Sequence, residues 1–198
     1  MESEVRVLVV GAGAIGGYFG GRLLEASRDA VFLVRPRRAA ELARSGLVIR
    51  SRLSDVALSA PPTVTADRLR EPFDIVLLSC KAYDLDDAMT SFAPAVGPET
   101  AILPLLNGMR HLEALEARFG AKHVLGGQCL ISAAVDADGG IRHLSDEHNL
   151  SFGECDGSPL TASMLRDIER GAPIEADHIL GDLLRRGSTN GGAESLLS

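Results

Sequence analysis

The stretch Val5-Arg6-Val7-Leu8-Val9-Val10-Gly11-Ala12-Gly13-Ala14-Ile15-Gly16 limits what this chain can fold into more than any other. Val5 to Val10, broken only by Arg6, predicts a strand buried on both faces, as in a parallel sheet. It runs directly into three glycines spaced G-x-G-x-x-G and then into a helical pattern, with Ile15, Phe19, Leu23 and Leu24 at helical spacing. In such a unit the first glycine makes the tight turn and the second lets backbone approach a pyrophosphate. The third lets the helix pack closely on the strand. The helix N-terminus adds free N–H groups and a partial positive charge. Gly11, Gly13 and Gly16, with Ala14 and Ile15 between them, are therefore candidate dinucleotide-binding residues. The alternatives are a packing turn without a ligand and the related glycine turn of methyltransferases.

The chain then alternates strand and helix. A second strand is expected at 30–34, a short helix at 37–44 closed by Gly46, and a short strand pair at 47–49 and 56–58. Pro61-Pro62 marks a loop. Further strands are expected at 74–80 and 101–106, the latter ending near Pro104, with helices at 84–92 and 109–119. This alternation is the pattern of a doubly wound α/β sheet, mostly parallel, with helices on both faces. After Gly126 the pattern changes to strands at 128–135, 140–144 and 149–153, with Asp138-Gly139-Gly140 as a hairpin turn. An antiparallel hairpin region is thus added to the parallel sheet. Gly157-Ser158-Pro159 breaks the chain, and two helices are expected at 161–170 and 174–186. The domain division is 1–157 for the nucleotide-binding domain and 158–198 for a truncated helical segment.

Composition excludes several functions. A net charge of −7 argues against nucleic acid or an anionic membrane surface as a partner. Aromatics at 4%, with no Trp, leave little with which to stack bases. The apolar runs are strand-sized, short of the ~20 residues of a membrane span. The acidic start MESEVRV does not read as a signal peptide. Cys80, Cys129 and Cys155 form no paired motif and read as reduced thiols in a cytoplasmic setting. His111, His123, His143, His148 and His178 have no ligand spacing, so no metal is expected.

The end of the second strand indicates the cofactor. Sites for NAD usually place a carboxylate there for the ribose 2′-hydroxyl. This chain instead reads FLVRPRR, with Arg35, Arg37 and Arg38. A guanidinium suits a 2′-phosphate, so NADP(H) is the expected cofactor, with Arg35 as the first candidate contact. The other reading of these arginines is a solvated helix start.

Three more stretches narrow the reading. LLSCKAYDLDDA puts Lys81 after the third buried strand, and LLNGMRH puts Asn107 after the fourth, both at carboxyl ends where open α/β sheets bind ligands. The third is ASMLRDIERGAPIEADHILGDLLRRG, at 162–187. With VLVVGAGAIGGYFGGRL and GGQCLISAAVDADGGIRH, the ordered set resembles the ketopantoate reductase (2-dehydropantoate 2-reductase) family over almost the whole chain. The resemblance implies a Rossmann domain followed by a helical domain. It also implies NADPH-dependent reduction of a 2-oxo acid, most directly 2-dehydropantoate to pantoate on the route to pantothenate and coenzyme A.

Position by position, the resemblance implies that Lys81 helps hold the cofactor and that Asn107 contacts the nicotinamide ribose and substrate. It implies that Ser163 donates to the substrate carboxylate and that Glu175 hydrogen-bonds the reacting oxygen. Asn107 and Glu175 are thus the catalytic candidates, and Ser163 and Asn107 the substrate-binding ones. On the residues alone, Lys81 is a solvated strand-end lysine, Asn107 an Asx turn into Gly108, Ser163 a helix cap and Glu175 an exposed helix face.

The chain departs from the family in one respect. The resemblance implies a catalytic lysine on a helix early in the helical domain, in a tryptophan-containing stretch, and roughly a hundred residues, a domain-scale segment, between Phe152-Gly153-Glu154 and Ser158-Pro159-Leu160. Here there is no Trp and no Lys after Lys122. Two family motifs abut at Gly157-Ser158, which reads as an excised segment rather than gradual divergence. The remaining helices carry Leu165, Ile168, Ile174, Ile179 and Leu183, apolar positions that need a partner such as a second copy of the chain, making a homodimer. The alternatives to 2-dehydropantoate reduction are an NADP-binding module impaired in catalysis and a reductase of another 2-oxo acid.

Overall fold

The structure, a computed structural model, describes residues 5–154. Five parallel strands form the first sheet, in the order β5-β2-β1-β6-β7. These are β1 (Arg6–Val10), β2 (Asp29–Leu33), β5 (Thr63–Val64), β6 (Phe73–Leu78) and β7 (Val96–Pro104). The second sheet has the order β4-β3-β9-β8, from β3 (Leu47–Arg50), β4 (Val56–Leu58), β8 (Leu125–Val135) and β9 (Ile141–Glu154). Within it β3 runs antiparallel to β4 and parallel to β9, while β8 and β9 form a long antiparallel hairpin. A parallel bridge from Ile102 to Val124 leads the chain from the edge of the first sheet into the second.

Helix α1 (Ala14–Glu25) lies between the two sheets, and its sequence AIGGYFGGRLLE accounts for the fit. A β-carbon on Gly16 would stand 2.3 Å from the Gly11 carbonyl oxygen, and one on Gly20 would stand 2.5 Å from the Phe32 ring. These two face the first sheet. A β-carbon on Gly17 would meet Ile141 at 2.3 Å, and one on Gly21 would meet Ile49 at 2.6 Å. These two face the second sheet. Each interior glycine costs a helix roughly 0.5–1 kcal/mol relative to alanine. Burial of both sheets against the helix offsets that loss: Val7, Val9, Phe32, Ile75 and Leu77 pack from one side, and Leu47, Ile49, Ile141 and Leu150 from the other.

The opposite face of the parallel sheet buries Leu8, Val10, Val76, Leu78 and Ile102. Two helices cover it, α3 (Leu85–Phe92) through Met89 and Phe92 and α4 (Arg110–Phe119) through Leu115. Helix α2 (Pro36–Ser45) adds Leu42 to the core on the α1 side.

The second sheet also takes polar groups from α1. Tyr18 is fully buried, and its hydroxyl pairs with His148 Nδ1 at 2.9 Å. His143 Nε2 donates to the Glu147 carbonyl at 3.0 Å, so its Nδ1 accepts from the Ser51 hydroxyl at 2.9 Å. The pairing of β8 with β9 is irregular here, Ile131 lying opposite His148 and Ala133 opposite His143. The β9 residues between those histidines bulge outward and wrap the His143 ring.

Most expected elements form within one or two residues of their expected bounds. Three differ. Thr63–Val64, just after the expected Pro61-Pro62 loop, is the unexpected edge strand β5; it is held by Phe32 N donating to Pro62 O and Val34 N donating to Val64 O. Strand β7 begins at Val96 rather than at 101, because Thr100 turns its hydroxyl onto the Phe73 carbonyl at 2.6 Å and carries the irregular start of the strand. The two strands expected at 140–144 and 149–153 are one strand, β9, since the polar SDEH segment is accommodated as a bulge. The expected helices at 161–170 and 174–186, the whole segment 158–198 and Cys155 lie outside the described residues.

Two predictions follow from this packing. Gly20→Ala lowers the unfolding free energy by about 1–2 kcal/mol in denaturant melts, because overpacking against the stiff Phe32 ring exceeds the gain in helix propensity. Gly17→Ala and Gly21→Ala lower it less, since each new methyl meets the tip of an isoleucine that can rotate away. Equal losses at all three positions would contradict this contrast between a stiff ring and mobile isoleucine tips. The second prediction concerns His148, whose pKa burial pushes below the usual histidine range, helped by His143 and Arg22. The folded state then binds fewer protons than the unfolded chain, so stability is full above pH ~6.5 and falls as pH drops through that value. His148→Gln flattens the pH 7 to 5 slope of the melting temperature, leaving the share due to His111, which burial lowers in the same direction. An unchanged slope would contradict it.

Candidate functional site

The carboxyl ends of β2, β1, β6 and β7 line one edge of the parallel sheet, and the site candidates within the described residues stand along it. At the end of β1, Gly11 takes φ +95°, a conformation that favours glycine, and its N–H donates to the Leu33 carbonyl at 3.0 Å. Gly13 occupies the N-cap of α1, where no side chain caps the first turn and no acidic side chain occupies it. A β-carbon added at Gly13 meets nothing within 4 Å. Gly16 presses on the Gly11 carbonyl. The three glycines thus differ as the motif requires: one turns, one leaves open space in front of the helix N-terminus, and one allows contact. Ala14 and Ile15 supply the first-turn N–H groups, which have no partner within the helix. The open space at Gly13 and the uncapped helix end fit a pyrophosphate.

Ser79, two residues before Lys81, fixes this turn. Its hydroxyl donates to the Val10 carbonyl at 2.9 Å and fills the space beside Gly16. The sequence reading passed over it, because a serine in LLSCK has no spacing that marks it. Its signal is positional: a small hydroxyl where two parallel strands end side by side.

The three arginines after β2 separate. Arg37 is almost fully exposed and pairs with Glu41 at 3.0 Å, as a solvated helix start would. Arg38 donates to the Ala12 carbonyl at 3.1 Å and the Gly139 carbonyl at 3.5 Å, bracing the glycine turn against the β8–β9 turn. Arg35 precedes α2 and projects into solvent, where its guanidinium donates to Asp84 Oδ1 at 2.7 Å. Lys81 lies exposed beyond β6, and its carbonyl accepts from Asp84 N–H at 2.9 Å. Asn107 is exposed beyond β7, next to Gly108, whose φ of +86° turns the chain toward α4. Cys80, just before Lys81, is half-buried, its thiol pushed up to about 11 by burial and then by the Asp84 charge, so it is not a ready nucleophile. Cys80 and Cys129 are free thiols. Ser163 and Glu175 lie outside the described residues. Among the described residues no group of acidic, His or Cys side chains could hold a metal ion, and no helix is long and apolar enough to cross a membrane.

Comparison with known proteins agrees with this geometry. Residues 7–157 match the family model of ketopantoate reductase PanE/ApbA, and residues 139–194 match the model of its C-terminal part. An uncharacterized oxidoreductase of Bacillus subtilis, YkpB, is 44% identical over 153 residues, 77% of this chain and 50% of that protein. The structure of 2-dehydropantoate 2-reductase from Geobacter metallireducens superposes with a TM-score of 0.70 at 28% identity, over 93% of this chain and 56% of that one. D-mandelate dehydrogenase, solved with NADH, shares the fold at a TM-score of 0.69 and 19% identity, over 94% of this chain and 55% of its own. The chain therefore spans about half the length of the relatives it matches. By its glycine turn, its parallel sheet and the family model that covers most of its length, the chain belongs to the ketopantoate reductase PanE/ApbA family of oxidoreductases.

Proposed function

We propose that the chain carries the dinucleotide-binding part of an NADPH-dependent 2-oxo acid reductase, with 2-dehydropantoate as substrate and pantoate as product. The observation that carries this reading is the open space at Gly13 before the uncapped N-terminus of α1, on the carboxyl edge of a parallel sheet. Bound NADPH supplies the hydride that reduces the ketone carbon. The chain's own groups bind and orient. Backbone from Gly11 to Gly16 takes the pyrophosphate, Arg35 reaches for the 2′-phosphate, and Lys81 and Asn107 hold the cofactor from the ends of β6 and β7. Ser163 and Glu175, within the segment that matches the C-terminal family model, take the substrate carboxylate and the reacting oxygen.

Reducing a ketone builds negative charge on oxygen, which a cation or acid must meet. The sequence has two lysines. Lys122 donates to the Pro98 carbonyl at 3.2 Å, near the start of β7 and away from the carboxyl edge, which leaves Lys81 as the lysine of that edge. Because this reading gives Lys81 to the cofactor, neither lysine is left to meet the reacting oxygen, which favours a second reading, a module that binds NADPH without turning over.

NADPH fluorescence tests both. Titration is expected to show saturable binding; consumption on adding 2-dehydropantoate supports the reductase, and binding without consumption supports the module. Gly13→Val is expected to weaken NADPH binding at least tenfold by filling the phosphate space, while stability falls by only about 1 kcal/mol from the changed N-cap. Unchanged affinity in this variant would refute the assignment of the turn.

A further inference from the structure

Asp84 precedes α3, a position where an aspartate usually caps its own helix, yet its side chain makes no capping bond. It turns instead to a residue 49 positions earlier, accepting from Arg35 at 2.7 Å. Arg35 is the arginine of the RPRR stretch best placed to meet a 2′-phosphate, since Arg37 is engaged by Glu41 and Arg38 by backbone carbonyls and Glu41. Asp86 and Asp87 follow in the first turn of α3, so the ledge opposite Arg35 is acidic. An incoming phosphate dianion must separate or share a formed ion pair, and it meets a carboxylate within hydrogen-bond reach of its own cation. A ribose 2′-hydroxyl meets the opposite situation: an acceptor is already in place.

We propose that Asp84 is a cofactor-specificity residue, supplying from the end of β6 the ribose-binding carboxylate that the end of β2 lacks, so that the chain accepts NADH nearly as well as NADPH. The proposal rests on the dinucleotide-binding reading above. It also revises the inference drawn from FLVRPRR alone: an arginine after β2 favours a 2′-phosphate only to the extent that its charge is free.

The test is fluorescence titration of wild type and Asp84→Asn with NADPH and NADH, with 2′,5′-ADP and ADP as competitors at two salt concentrations. Wild type is expected to bind NADPH and NADH within about tenfold of each other, as a partly neutralised surface arginine allows. Asp84→Asn is expected to tighten NADPH and 2′,5′-ADP about 3- to 10-fold and to weaken NADH and ADP, which share the free ribose 2′-hydroxyl, a few-fold; the gain shrinks at high salt. Asp84→Ser, which restores a helix-capping side chain without the charge, gives the same direction if charge is the cause, and circular dichroism melts verify that both variants are folded. An unchanged NADPH-to-NADH ratio in folded variants overturns the proposal and leaves dinucleotide binding standing. Weaker NADPH binding in Asp84→Asn also overturns it, since Asp84 would then be a positioning residue that aims Arg35 at the phosphate. Failure of wild type to bind either dinucleotide overturns both readings.

Discussion

The close approach of two sheets to the two sides of α1 is the contact on which the rest of the structure depends. A helix with ordinary side chains would hold them about 10 Å from its axis. The pairs Gly16/Gly20 and Gly17/Gly21 remove the spacer on opposite faces, and the sheets move in until side chains of β2, β3 and β9 touch helix backbone. The same contact defines the glycine turn, because Gly16 against the Gly11 carbonyl fixes how far the helix N-terminus stands from the end of β1. Packing and ligand geometry are thus one constraint. A helix that drifted outward would lose its core and its phosphate position together.

The charges of the carboxyl edge are organised by carbonyls and carboxylates more than by net composition. Arg38 serves the turn itself, joining the Ala12 and Gly139 carbonyls, while Arg35 is held at the solvent front by Asp84. Three arginines within four residues therefore do three different things. The distinction comes from partners supplied by α2, by Asp84 ahead of α3, and by the glycine and β8–β9 turns.

Much of this was legible in the sequence. The alternation of apolar runs and helical patterns identified the parallel sheet, since buried strands tolerate few polar residues, and the glycine spacing located the turn. The parts that escaped share a cause: they are set by contacts between distant segments. Thr63–Val64 is a strand because β2 offers an open edge, and two residues carry no period of their own. The SDEH bulge of β9 reads as a loop until His143 and Ser51 are seen across the sheet. Ser79 and Asp84 look ordinary in LLSCKAYDLDD; their roles appear only once Val10 and Arg35 are beside them. The assignment of Arg35 to a phosphate shows the same limit, because a sequence gives a charge and not the neighbour that neutralises it.

The parallel pairing of Ile49 with Ile141 closes a loop of 92 residues, a separation that makes the second sheet a late event in folding. During synthesis the chain emerges from its N-terminus, so β1, α1, β2 and β3 exist well before β9 does. Over that interval the Gly17/Gly21 face of α1 has no sheet to rest on, and a helix so rich in glycine has little intrinsic stability to hold it in place. The nascent chain thus passes through a stage in which the element that organises the cofactor turn is the one least able to stand alone. Growth of the β8–β9 hairpin ends that exposure.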